Sequence, residues 1–155
     1  MNRDEIYSSI IDFLSLFKES EGTVEKRIQS LKILLDRLAL ASNFVEYKFD
    51  ETDYPDAPQE NYEELRKLIS TIFPDFGNYN SVSEVTSQIN NTKVVVGDAI
   101  DDIVDINLDM KRVLWHWQNT SIDNALWHFE NSYHSHWGQH LRDLQLYLYS
   151  YEMGV

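Results

Sequence analysis

The chain has 155 residues, of which 26 are acidic and 13 basic, so its formal net charge is -13. This length predicts a single domain over residues 1–155, and the 43% hydrophobic content supports a folded core. The acidity argues against direct binding to nucleic acid, and the absence of cysteine excludes disulfides and thiolate metal sites. The sequence has no signal-peptide pattern and no apolar run long enough to span a bilayer, which together predict a cytoplasmic protein without membrane contact.

The first half of the chain shows apolar residues at helical spacing. A first helix is predicted from the stripe that begins at Ile6 and ends before Gly22. Thr23 is a suitable N-cap for a second helix that continues to Val45. Pro55 and Pro58 interrupt helical structure in the next segment, and a third helix is predicted from about Tyr62 to Pro74.

The second half is predicted to hold two longer helices. A fourth helix runs from about Gly97 to Trp117, and a fifth runs from Ser121 to about Glu152. Residues 75–96 show no pattern that assigns them to a helix or a strand. Because signs of strands are few, the fold class is predicted to be all-α, an antiparallel bundle of about five helices.

Helix four carries a concentration of negative charge. Five aspartates fall on the side opposite its apolar face, with no basic residue between positions 98 and 109: Asp98, Asp101, Asp102, Asp105 and Asp109. Like charges at this spacing destabilise a helix by a few tenths of a kcal/mol per pair. The pattern is compatible with a solvated face, and equally with an outward-facing acidic strip that binds a basic protein.

Two charged residues interrupt the apolar faces of the last two helices. Lys111 lies on helix four and Glu130 on helix five, and Asn107 is a further polar residue on the apolar face of helix four. With the turn centred near Thr120, Lys111 and Glu130 are level, so we predict a partly buried ion pair of structural role. The alternative is that both side chains reach water separately.

The segment HSHWGQHL raises the question of a metal site. His136 and His140 are four residues apart and share one side of helix five, whereas His134 points elsewhere. Zinc needs a third protein ligand, and an acid from helix four such as Asp105 is the candidate. The spacing alone is common, so the favoured interpretation is a pair of histidines at the edge of the core, with no metal and no cofactor. Gly138 is predicted to permit close approach of a neighbouring helix.

A second acidic concentration lies between Glu46 and Glu64. It holds eight carboxylates and one basic residue, Lys48, together with tyrosines and prolines. Loops of this composition suit protein recognition, and equally suit an ordinary solvated loop. The candidate contact residues are Glu51, Asp53, Tyr54 and Asp56.

Three stretches resemble the bacterial domain-of-unknown-function family 5063. DINLDMK, residues 105–111, is similar to the family's D-I-x-x-D-L-K segment, with Met110 in place of leucine. WGQHL, residues 137–141, is similar to its carboxy-terminal W-G-x-H/Q-L helix, and NYEELRKLI is a weaker match. The resemblance implies an all-helical domain and no established activity. The matched positions are Asp105, Asp109, Lys111, Trp137, Gly138 and His140.

Two hypotheses of function follow from the sequence. The first is a non-catalytic acidic binding protein, similar to immunity proteins that neutralise a basic toxin, because the sequence has no phosphate loop, nucleophile elbow or cysteine nucleophile. The aspartates of helix four and the loop residues 51–56 would contact the partner. The second is a metal-dependent hydrolase-like bundle that uses His136 and His140 with a carboxylate from Asp101, Asp105 or Glu130.

Overall fold

A computed structural model describes residues 1–18 and 21–155. The elements in chain order are α1 (Arg3–Ser15), α2 (Val24–Ala41), α3 (Tyr62–Ile72), β1 (Asn78–Val82), β2 (Val94–Asp98), α4 (Ala99–Asn119), α5 (Ile122–Ser132) and α6 (Gly138–Met153). A π-helical turn, Tyr133–Trp137, joins α5 to α6, so these residues form one continuous helical segment. Counted in this way, the described residues contain the five helices that the sequence predicts. None of these helices is both long and apolar enough to cross a membrane.

The helix starts follow from local capping. Thr23 accepts a hydrogen bond from the Lys26 backbone N–H, as its predicted role as the N-cap of α2 requires. Asn2 forms a reciprocal capping box with Glu5 at the start of α1. Asn61, Asp98 and Ser121 cap α3, α4 and α5 through side-chain oxygens in the same way. These caps fix the positions from which each apolar stripe begins.

Helix α4 is the centre of the bundle. It packs against α1, α3, α5 and α6. It is therefore buried on more than one side, and its fully buried residues include Ile103, Val104 and Ile106. Trp137 of the π-helical turn is fully buried, and its indole N–H donates to the Phe129 carbonyl at 3.2 Å. The core thus surrounds α4, and any polar side chain of α4 must find a partner on a neighbouring helix.

The expectation of a purely helical fold is inexact, because residues 78–98 contain a small hairpin. β1 and β2 pair antiparallel, with Asn80 opposite Val96 and Val82 opposite Val94. Both strands are only five residues long, and Val94 and Val96 are mostly exposed. A strand with so little burial shows almost no alternation of apolar and polar residues, which is why the sequence pattern did not reveal it. The described part of the chain is mostly helical, with one peripheral hairpin.

The π-helical turn explains Gly138. The Gly138 N–H donates to the Tyr133 carbonyl, five residues earlier, which is the hydrogen bond of a π-helix. A Cβ at position 138 would lie 2.4 Å from that carbonyl oxygen and 2.9 Å from the Tyr133 ring. The predicted close approach is therefore real, but the group that approaches Gly138 is the preceding turn of the same helix, not a neighbouring helix.

Candidate functional site

Two histidines of the last helical segment face three aspartates of α4. We call these residues the His–Asp cluster: Asp102, Asp105, Asp109, His136 and His140. The rings of His136 and His140 lie with their centroids 4.8 Å apart, as the four-residue spacing predicts. His134, on another side of the segment, is exposed. The cluster combines residues that are about 30 positions apart in sequence, and it lies where α4 packs against the π-helical turn and α6.

His136 is held by Asp109. Its Nδ1 lies 2.6 Å from Asp109 Oδ2. Because a carboxylate can only accept, the ring nitrogen is the donor in this bond. Asp109 Oδ1 also accepts from Arg112 at 2.8 Å, and the Asp109 side chain is only 3% exposed. The buried carboxylate therefore accepts from two side chains, Arg112 and His136, whereas the His136 ring is 48% exposed and open to solvent.

His140 is held in the same way by Asp102. Its Nδ1 donates to Asp102 Oδ1 at 2.7 Å, and the Tyr79 hydroxyl donates to the other oxygen of Asp102. The opposite ring nitrogen, Nε2, lies 3.4 Å from Asp105 Oδ2. His140 is thus between two carboxylates, one buried at 7% exposure and one half-buried at 23%. The hairpin contributes to the site through Tyr79, which fixes the second oxygen of Asp102.

The surroundings of His140 and Asp105 raise the pKa values of both side chains. The pKa of His140 is raised above its usual value because its hydrogen bond to Asp102 and the charge of Asp105 outweigh the effect of burial. Burial raises the pKa of Asp105, and the nearby histidines oppose that rise. The pKa of Tyr79 is also raised, chiefly by burial and by its hydrogen bond to Asp102. Tyr79 therefore stays a neutral hydrogen-bond donor at physiological pH.

One subset of the cluster has the composition of a metal site. Asp105, His136 and His140 each offer one ligand atom, and these atoms lie within 4.8 Å of one another. Ligands of tetrahedral zinc are about 3.4 Å apart when each lies about 2.1 Å from the ion. Binding of a metal would therefore require these ligand atoms to approach one another by up to about 1.4 Å. In proteins, a histidine ligand usually donates its other ring nitrogen to a carboxylate, and both histidines here do so.

The outward acidic strip predicted for α4 is wrong for Asp102 and Asp109. Their side chains are 7% and 3% exposed, and they point toward the last helical segment. The sequence of α4 alone does not include the histidines to which these two carboxylates are bonded, which is why its pattern predicts that they face solvent. The histidines that hydrogen-bond to them lie more than 25 residues further along the chain. These two carboxylates are thus inaccessible to a protein partner.

The first aspartates of α4 are also paired, in this case with α3. Arg66 forms a salt bridge to Asp98 at 2.9 Å and a second to Asp101. The Tyr62 hydroxyl donates to the same Asp101 oxygen at 2.6 Å. Asp101 remains 42% exposed, whereas Asp98 is 24% exposed. The negative charge of this end of α4 is therefore partly neutralised by α3.

The predicted ion pair between Lys111 and Glu130 does not form. Lys111 Nζ lies 3.5 Å from Glu60 Oε2, and Glu130 accepts a hydrogen bond from the Tyr47 hydroxyl at 2.9 Å. Both new partners belong to the segment between α2 and α3. That segment lies over the α4–α5 hairpin and supplies a separate partner to each charge.

The second predicted contact region is an ordered loop. Asp50 accepts hydrogen bonds from the Thr52 backbone N–H, the Tyr54 hydroxyl and the Ser121 hydroxyl. These bonds lower the pKa of Asp50, with Ser121 the largest cause. Glu51, Asp53 and Asp56 are exposed and Tyr54 is half-buried. The three carboxylates therefore face solvent from a backbone that is tied to the start of α5.

A further pair of histidines was missed by the sequence reasoning. His116 is 3% exposed, and its ring stacks on that of His128 with centroids 3.7 Å apart and planes 7° apart. Burial lowers the pKa of both rings, that of His128 to about 4. His116 also lies 3.3 Å from the Asn124 side-chain nitrogen. The sequence does carry one sign of this pair, because the position of His116 on the apolar side of α4 indicates that it is buried.

The fold and the cluster define a mostly helical protein with paired His–Asp groups at the junction of its central and last helices. Residues 4–152 match the family described as "Domain of unknown function (DUF5063)", and the chain belongs to that family. No protein among the curated sequences matches it. The crystal structure of protein BF1032 from Bacteroides fragilis is similar, with a TM-score of 0.75 and 18% sequence identity. That similarity covers 95% of this chain and 89% of the other, and it supports the fold alone.

Proposed function

We propose that this protein binds one divalent transition metal ion through Asp105, His136 and His140. The observation that carries the proposal is the pairing of each histidine with a buried carboxylate. Asp102 and Asp109 accept from Nδ1 of His140 and His136, which leaves Nε2 of each ring for a metal. Asp105 supplies the carboxylate oxygen beside His140.

The ligand set restricts the kind of ion. Two imidazoles and one carboxylate suit Zn²⁺, or Fe²⁺ in a facial triad, and they suit Mg²⁺ or Ca²⁺ poorly because those ions prefer oxygen ligands only. Three protein ligands leave at least one position for water or substrate. An open position is typical of catalytic rather than structural zinc sites.

The position of the site favours access from solvent. His136 is 48% exposed, whereas the carboxylates behind it are almost fully buried. A metal held here has protein on one side and solvent on the other. Metal ions in such positions lower the pKa of bound water and polarise carbonyl or phosphoryl groups. The proposed class is therefore a metal-dependent hydrolase-like helical protein.

Metal binding is tested directly by elemental analysis and calorimetry. We expect the protein to take up one equivalent of Zn²⁺ or Co²⁺ and to gain thermal stability, by about 2.7 kcal/mol at a metal concentration one hundred times Kd. The variants His136→Ala and His140→Ala should lose this uptake. His134→Ala is the matched control, because His134 lies in the same turn but is exposed and outside the cluster. Equal uptake by all four proteins, or none by the native chain, would refute the proposal.

We propose an acidic binding protein as a second candidate, of the immunity type that neutralises a basic toxin. It is favoured by the loop at residues 49–60, which holds no basic residue, presents Glu51, Asp53 and Asp56 to solvent and is fixed by Asp50. An ordered acidic surface would speed association with a basic protein. The aspartates of α4 contribute less to this candidate, since Asp102 and Asp109 are buried.

The binding candidate is tested with the purified products of the neighbouring genes. A basic product should bind, with an association rate that falls as salt rises and falls further in the triple variant Glu51→Lys, Asp53→Lys, Asp56→Lys. The matched control is Glu21→Lys, an exposed acid elsewhere on the chain. This candidate would be excluded if the association rate were unchanged in the triple variant, or if none of these gene products bound.

A further inference from the structure

A pocket of about 280 Å³ lies between α1, α3 and α4, apart from the His–Asp cluster. Its wall is mainly apolar and comprises Leu14, Phe17, Leu65, Leu68, Leu114 and Trp115. Leu68 is 46% exposed, although it faces this concave apolar surface. The volume is near the lower end of the range for small-molecule sites, which begins at about 300 Å³.

Asn107 places a buried polar side chain at the mainly apolar wall of the pocket. It lines the pocket, yet the residue is only 1% exposed. Its Oδ1 has no hydrogen-bond partner among the described residues. A buried amide oxygen without a partner costs about 1–3 kcal/mol, so an unpaired one in a native core requires an explanation. The sequence had already marked Asn107 as a polar residue on the apolar face of α4.

The rim of the pocket is polar. Lys111 and Glu60 lie at its edge, with Nζ and Oε2 3.5 Å apart, and Gln118 lies further along α4. The two charges of this pair offset each other, and Lys18 adds one positive charge to the lining of the pocket. The same pair borders a second, more polar cavity of about 360 Å³ lined by Pro58, Arg112 and Trp115. A ligand can therefore enter from the solvent side between α3 and the end of the loop.

We propose that this pocket binds a small, largely apolar ring compound that carries one uncharged hydroxyl or amide group. The apolar body would contact the leucine, phenylalanine and tryptophan side chains, and the polar group would pair with the Asn107 amide. A hydroxyl or amide can donate and accept, so it matches the Asn107 side chain in either orientation of that amide. This site is independent of the proposed metal site.

The test uses matched probes and one isosteric variant of the full chain. Phenol and toluene have nearly the same shape, and only phenol can pair with the amide. Binding is followed by changes in Trp115 fluorescence and in the NMR signals of Leu65 and Leu68. We expect phenol to bind at least tenfold more tightly than toluene. In Asn107→Leu the two probes should bind alike, because the amide is gone while the shape is kept.

The stability of Asn107→Leu distinguishes a ligand site from an amide that is bonded to a structural water, because loss of a bonded amide would lower the stability. Asn107→Leu should be at least as stable as the native protein, because it removes a buried amide oxygen that has no partner. Leu68→Ser, on the wall, should weaken both probes, whereas the exposed control Leu146→Ser should weaken neither. No signal change at Leu65 or Leu68 with either probe, or equal affinity of the native chain for both, would overturn the proposal.

Discussion

Asp102 and His140 are 38 residues apart in sequence, and Asp102 Oδ1 accepts from His140 Nδ1 at 2.7 Å. The Tyr79 hydroxyl holds the other oxygen of the same carboxylate. The contact fixes the orientation of the His140 ring and keeps its Nε2 directed toward Asp105. A carboxylate on the central helix thus determines which nitrogen of a later histidine is available for a metal.

The first prediction concerns Asp102→Asn. The substitution keeps the size of the side chain but removes the charge that orients and polarises His140. We expect Zn²⁺ or Co²⁺ to bind about 10–100-fold more weakly, as is typical when such a partner of a histidine ligand is lost. Isothermal titration calorimetry measures the affinity, and circular dichroism verifies the fold. Asp53→Asn, on the exposed loop, is the control, and an unchanged affinity in Asp102→Asn would contradict the role given to Asp102.

The second prediction is a loss of stability at high pH in the metal-free protein. The pKa of His140 is raised in the fold, so its protonated form stabilises the native state fully below about pH 6.5. This contribution is lost as the pH rises through the raised pKa. Urea unfolding in the presence of chelator should show the decline, and His140→Gln should lack it. The control His134→Gln should show the pH dependence of the native chain. If His140→Gln shows that same pH dependence, another group is responsible for it.

The third prediction is a loss of stability at low pH, and it concerns the stacked pair His116 and His128. Burial lowers the pKa of His128 to about 4, so the fold prefers the neutral ring. The resulting stability is present above about pH 6.5 and is lost as the pH falls toward 4. His128→Phe keeps an aromatic ring without a titrating nitrogen and should reduce this acid sensitivity. The free energy of unfolding at pH 7.5 and at pH 4.5 measures this sensitivity. His134→Phe is the exposed control. Equal acid sensitivity in the native chain, His128→Phe and His134→Phe would show that His128 is not its source.

The sequence predicted the helices well because their determinants are local. The Thr23 cap and the stripe through Leu31 and Leu35 specify α2 without reference to the rest of the chain. The proximity of His136 and His140 was predicted on the same basis, since residues four apart share one face of a helix. The resemblance to domain-of-unknown-function family 5063 was confirmed over nearly the whole chain.

The site itself could be predicted only in part, because it depends on contacts between distant segments. Asp105 lies near His136 and His140, as the alternative metal-ligand set requires, but it remains an untested ligand. The same sequence pattern predicts Asp102 and Asp109 to face solvent, which is wrong. Their burial follows from the packing of the last helical segment on α4, and a single-helix charge count contains no such information. The π-helical turn likewise leaves no simple periodic signal, although Gly138 marks its end. The hairpin that supplies Tyr79 was missed because its strands are short and exposed.

The fourth prediction concerns the π-helical turn. Alanine normally stabilises a helix by about 1 kcal/mol relative to glycine. At position 138, however, a Cβ would lie 2.4 Å from the Tyr133 carbonyl oxygen, a distance that real Cβ contacts do not show. Gly138→Ala should therefore destabilise the protein, by about 1–3 kcal/mol as other overpacked sites do. Urea unfolding measures this change.

Relief of that overlap requires the Tyr133 turn to move, and His136 lies in the same turn. We therefore expect Gly138→Ala to weaken metal binding as well as stability, even though residue 138 contributes no ligand. Gly77→Ala is the matched control, because a Cβ there meets no heavy atom within 4 Å. A Gly138→Ala protein with native stability and native Co²⁺ affinity would show that the π-helical turn does not set the position of His136.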